Sequence, residues 1–134
     1  MIGNPPGQLP DTRSDKPVRE FPRSGRLLKH SDFQRVYELG RRHFAPHLIA
    51  FYLGRETSGS RVGFTVSRAL GGAVERNRIK RRMREAVRLQ RDQLSVSADV
   101  VFNPKKSALK TDFAELEKEV AGCFQVISGK LARM

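Results

Sequence analysis

Apolar side chains in residues 31–39 recur at helical spacing: Phe33, Val36 and Tyr37 fall at i, i+3 and i+4 on one face. Ser31 and Gln34 stand at capping-box spacing, and Gly40 follows as a terminator, so the pattern predicts a helix over 31–39. "HLIAFYL" (47–53) then runs without a polar break and is rich in strand formers. Its alternation puts Ile49 and Phe51 on one face and Leu48, Ala50 and Tyr52 on the other. "GRETSGSR" reads as a turn and "RVGFTVSR" (61–68) as a second strand, which together predict a hairpin-like unit. "ADVVFNPK" (98–105) is a third short strand, ended by Asn103-Pro104. "TDFAELEKEVAGCFQVIS" returns to helical spacing through Phe113, Leu116, Val120, Cys123, Phe124 and Ile127, with Thr111 or Asp112 as its cap.

Between the second and third strands lies "ERNRIKRRMREAVR". It lacks Pro and Gly, and Ile79, Met83, Ala86, Val87 and Gln90 gather on one face at about 100° per residue. Leu89 is the exception to this stripe. Lys80, Arg81, Arg84, Arg88 and Arg91 collect on one flank, and Arg78 and Arg82 on the other. The segment is an amphipathic helix with its stripe on the core and cations outside. The elements together predict an α+β fold in one domain spanning 25–134. Residues 1–24 hold five of the seven prolines and few large apolar residues, and are expected to form a mobile extension.

Composition narrows the partner. The chain has 134 residues and a formal net charge of +12, which favours a polyanion, nucleic acid before anionic membrane. No apolar run approaches a membrane span, and the N-terminus has no apolar core of signal-peptide length. Cys123 is the single cysteine, so no intrachain disulfide forms; a reducing cytosol fits. On its apolar stripe, Cys123 reads as a buried core thiol.

A solvated surface helix usually mixes charge signs, whereas here Glu85 is nearly alone and Lys80/Arg84 and Arg84/Arg88 set cation beside cation. Each such pair costs about 0.2–0.5 kcal/mol in an isolated helix, so the pattern favours an anionic partner over a structural role. The stripe lacks Trp and Phe, against an interfacial membrane helix. The predominance of Arg suits forked phosphate contacts. Charge alone leaves DNA and RNA open. Phe33 and Tyr37, one turn apart near Arg35, Arg41 and Arg42, read either as core packing or as a platform for unpaired bases. His30, His43 and His47 form no catalytic pattern, and "HFAPH" reads as a loop around Pro46.

"RVGFTVSRALGGAVERNRIKRRMREAVR" closely resembles the signature region of the protein subunit of bacterial ribonuclease P. The matching positions are Val66-Ser67-Arg68-Ala69, Gly71, Ala73-Val74, Arg76-Asn77-Arg78, Lys80-Arg81 and Arg84-Glu85. "DFQRVYELG" resembles that family's first helix and "ADVVFNPK" its last strand, so the resemblance covers roughly residues 21–128. It implies a single α/β sandwich of α-β-β-β-α-β-α order, with a central cleft and a left-handed β-α-β crossover through the basic helix. General rules predict a right-handed one.

The implied activity is endonucleolytic removal of the 5′ leader of precursor tRNA, with the chemistry in a partner RNA that uses Mg2+. The implied setting is the cytoplasm, and no small molecule, membrane or tightly held metal is expected for the protein. By resemblance, Arg76, Asn77, Arg78, Lys80, Arg81 and Arg84, with Arg68, face the catalytic RNA, while Phe33, Tyr37, Ile49 and Phe51 form the leader-binding cleft. Ala69 departs from the family's usual lysine. The alternatives are a general RNA-binding or ribosomal accessory protein and a self-sufficient nuclease.

Overall fold

The computed structural model describes residues 25–133; the proline-rich extension expected over 1–24 lies outside the described residues. Helix α1 (His30–Leu39) leads into strands β1 (Arg41–Phe44), β2 (Leu48–Gly54) and β3 (Arg61–Phe64). Helix α2 (Ala73–Gln90), strand β4 (Ala98–Pro104) and helix α3 (Phe113–Ala132) follow. This is the implied α-β-β-β-α-β-α order, in one four-stranded sheet ordered β1-β2-β4-β3.

β4 takes the central place because it alone is apolar enough for burial on both faces; six of its seven residues are buried. It runs antiparallel to β2 and parallel to β3, so β3, α2 and β4 form a crossover unit. The expected β2–β3 hairpin therefore does not form. The intervening loop bonds instead to the segment before β4: Arg55 N–H donates to Ser97 O, and Ser60 Oγ to Val96 O. β4 is thereby held between the two strands. The strand expected over 61–68 is also shorter, because Ser67 caps a 3-10 turn at Arg68–Leu70.

β1 is a correction to the loop expected at "HFAPH". His43 and Phe44 pair with Ala50 and Ile49, and only the turn closed by Ala45 N–H to Leu48 O stays irregular. The cap of α1 differs from expectation, since the helix starts after Lys29 and not at Ser31; α3 starts after Asp112 as expected, and neither cap makes a side-chain bond.

The two faces of the sheet are covered unequally. Leu48, Ala50, Tyr52, Val100 and Phe102 pack against Ile79, Met83, Ala86 and Val87 of α2 and Leu116, Val120, Cys123, Phe124 and Ile127 of α3. Burial pushes the Cys123 thiol up to about 12, as befits an inert core cysteine. On the other face α1 is the only helix among the described residues, with Val36, Leu27 and Val101 as a small buried cluster flanked by Phe33, Phe51 and Leu53. Buried Asp99 secures this second layer. Arg61 grips it through Nε and Nη2 at 2.8 and 2.7 Å and reaches Asp32 of α1 at 3.3 Å. The hydrogen bonds to Asp99 hold the Arg61 guanidinium above its ordinary value. Desolvation offsets much of the attraction in such a pair, while loss of one partner would leave the other charge buried and uncompensated.

Candidate nucleic-acid interface

The single helix on the thin face leaves a cleft beside it. Leu28, His30, Phe33, Gln34 and Tyr37 form one wall, and Phe64, Thr65, Val66 and Lys80 the other, around about 660 Å³. Gly63 lets the cleft form. A Cβ there would meet Phe33 Cζ at 2.5 Å, so only glycine admits the ring against β3.

Tyr37 is held in place on three sides. Its ring meets Phe51 edge-on at 4.8 Å, and its hydroxyl lies 2.6 Å from Thr65 Oγ1 and 2.9 Å from Asn103 Oδ1. A phenol carries one proton, so it donates to Asn103 and accepts from the Thr65 hydroxyl. The residue nevertheless remains 36% exposed. Of the four residues expected in the cleft, Phe33 and Tyr37 line it. Phe51 braces Tyr37 from below, and Ile49 sits beside Phe51 on the same sheet face. Thr65 and Asn103 carried no sequence signal for this site, because only the tertiary fold brings them beside α1.

The basic helix sorts its cations into two groups. Arg82 turns inward and donates from Nε to Ala108 O at 3.1 Å and from Nη2 to Thr111 O, fastening α2 to the turn before α3. Arg76 donates to Gly71 O at 3.2 Å, bracing a residue whose φ of 139° suits only glycine. Arg88 pairs with Glu85, lifting its own guanidinium and lowering the Glu85 carboxyl from their ordinary values. Arg91 donates to Gly25 O and Ser60 O, and burial pushes its guanidinium below the ordinary arginine value.

Arg78, Lys80, Arg81 and Arg84 are exposed and make no hydrogen bond or ion pair with another described residue. Asn77, Lys80, Arg81 and Arg84 line one shallow depression with Val74. Lys80 also lines the aromatic cleft, so the cationic and aromatic surfaces meet at this residue. Arg68 is exposed in the turn before α2, and Ala69 N–H donates to Ser67 Oγ there. Among the described residues no group of three or more His, Cys, Asp or Glu side chains is placed to hold a metal ion, and no helix is long and apolar enough to cross a membrane. An open cationic surface joined to a partly apolar cleft with a fixed aromatic ring suits phosphates on one side and unpaired bases on the other.

The sequence model of the Ribonuclease P family matches residues 21–128. The chain is 40% identical over 107 residues to a ribonuclease P protein component of Desulforapulum autotrophicum, covering 80% of this chain and 92% of that protein. It is 42% identical over 104 residues to one of Desulfovibrio desulfuricans, covering 75% and 80%. The fold is similar to that of the Staphylococcus aureus RNase P protein, with a TM-score of 0.67 at 25% identity over 77% of this chain and 94% of that one. It is also similar in fold to the Thermotoga maritima RNase P protein, with a TM-score of 0.68 over 75% and 94%.

Proposed function

This chain belongs to the ribonuclease P protein family, and on that premise we propose how its two surfaces divide the work. The family's task is removal of the 5′ leader from precursor tRNA, with catalysis in the RNA subunit of the ribonucleoprotein. The protein's part is therefore binding and positioning. Arg78, Lys80, Arg81 and Arg84, with Asn77 and Arg68, take phosphates of the RNA subunit. Arg76 acts through the shape of the Gly71 turn. The cleft of Phe33 and Tyr37, with Phe51 and Ile49 behind it, takes the unpaired leader without strict sequence preference, since every base has a stacking face. Residues 25–134 act as the RNA-binding unit, in the bacterial cytoplasm.

The observation that carries this reading is Lys80, which belongs at once to the cationic depression and to the aromatic cleft. Contacts to two RNA segments are thereby brought side by side on one small protein. Mg2+, held by the partner RNA, would supply charge neutralisation and activation of water there, with no ligand from this chain. The protein's cations lower the repulsion between catalytic RNA and substrate, which reduces the Mg2+ the complex needs.

Reconstitution tests the reading. Precursor tRNA is incubated at low Mg2+ with the RNA subunit, with the protein, and with both. Strong cleavage is expected only with both. A pair no better than RNA alone would favour a general RNA-binding protein instead, and cleavage by the protein without RNA would move the chemistry into the chain.

A further inference from the structure

The aromatic surface continues past Tyr37 to β1, the edge strand among the described residues. Asn103, the hydrogen-bond partner of Tyr37, lies opposite Ile49 of β2, and Ile49 lies opposite Phe44 of β1. Residues opposite one another in a ladder share a face. Asn103, Ile49 and Phe44 thus form a row across three strands, leading away from the cleft over about 10 Å at the usual strand spacing. That length accommodates a further unpaired nucleotide.

Phe44 ends the row and is 63% exposed. A lone exposed aromatic is ordinary on a protein surface. This one has a cation beside it: the Arg42 guanidinium stands 5.9 Å from the ring centroid, two residues back on the same face of β1. A ring with a cation on one side offers its open side to a base and leaves the guanidinium within reach of the adjoining phosphate. An exposed aromatic on an edge strand also invites unwanted strand pairing, a liability that a folding role would not require.

We infer that Phe44 and Arg42 form an additional stacking position for unpaired leader nucleotides that leave the cleft past Tyr37. This rests on the reading of the cleft as the leader site, and extends leader recognition across β2 onto β1.

The test uses the holoenzyme assembled with its RNA subunit and precursor tRNAs whose leaders lengthen one nucleotide at a time. Wild-type affinity rises with leader length to a plateau. Phe44→Ala reaches its plateau at a shorter leader and binds long-leader substrate about five- to tenfold more weakly, with no change for the shortest leaders. Phe44→Leu keeps apolar area without a π face and should behave like the alanine variant. The chain has no tryptophan, so Phe44→Trp also provides a single fluorophore, expected to be quenched by long-leader substrate alone. Equal plateaus for wild type and Phe44→Ala, full binding by Phe44→Leu, or an unquenched Trp would each overturn the inference while leaving the cleft reading intact. A wild-type holoenzyme indifferent to leader length would overturn both.

Discussion

Arg81 and Arg82 are neighbours in the chain and opposites in the fold. Arg81 stands in solvent at the rim of a cationic depression, while Arg82 bends back to two carbonyls of the turn before α3. The same division runs along the whole helix and into the turn that follows it. Arg78, Lys80, Arg81 and Arg84 are open, and Arg76, Arg82, Arg88 and Arg91 are occupied by the protein itself. A count of basic residues treats these as one patch. The structure separates a set that fastens the helix to the fold from a set that stands open to solvent. Their chemistry explains how both serve in one segment: a guanidinium has five donors in a planar fork, which suits carbonyl groups as well as phosphate.

Substitutions can break this comparison at either side. The largest effect is expected for Arg82→Ala, which leaves two carbonyls without their charged donor. A loss of about 2–3 kcal/mol follows, read as a fall of several degrees in Tm. An unaltered melt would place Arg82 with the open set. Gly63→Ala forces Phe33 off β3 and should cost about 1–3 kcal/mol through overpacking. It should also weaken binding to leader-bearing substrate more than to mature tRNA, and equal losses for both would assign Phe33 to the core alone.

On the open side, Arg84→Ala removes like-charge neighbours at Lys80 and Arg88, so stability should hold or rise by about 0.2–0.5 kcal/mol per relieved pair. Its affinity for the RNA subunit should fall, with a salt slope shallower by about one. The smallest effect is expected for Glu85→Gln. Hydrogen bonding from Arg88 lowers the Glu85 carboxyl in the folded state, so this pair stabilises the fold above the ordinary carboxylate range. That contribution is lost as pH falls through the lowered value. With the carboxyl 46% exposed it amounts to under about 0.5 kcal/mol. Acid melts of wild type and Glu85→Gln should converge below that range and separate slightly above it.

The helices were legible from periodicity because a helix writes its buried face into its own sequence. Ile79, Met83, Ala86 and Val87 are buried as the spacing predicts, and Cys123 lies in the core on the stripe that carries it. Strand pairing was not legible in the same way. "HLIAFYL" and "RVGFTVSR" have hairpin spacing, but β4, buried on both faces, enters between them. β1 left no mark in the periodicity, because "RRHF" has one apolar residue and that residue faces outward. Its presence was legible only through the family resemblance, which implied three strands before the basic helix.

Within the candidate interface, Phe33 and Tyr37 could be found because the cleft wall they form is one face of α1 and so keeps i, i+4 spacing. Thr65 and Asn103, which fix Tyr37, come from elsewhere in the chain and have no local signature. Neither do the carbonyls of Ala108, Thr111, Gly25 and Ser60 that occupy Arg82 and Arg91. A backbone acceptor has the same chemistry at every residue, so its role appears only once the chain is folded.

The division between open and occupied cations is tested most directly by the salt dependence of RNA-subunit affinity. Wild type is compared with a variant carrying Arg78, Lys80, Arg81 and Arg84 all as alanine, each variant first shown by its melt to be folded. The slope of log affinity against log salt should become shallower by about three to four, one for each phosphate that the protein no longer neutralises, with Tm unchanged or raised. An unchanged slope in this variant, with the drop appearing in a folded Arg88→Ala variant instead, would contradict the assignment.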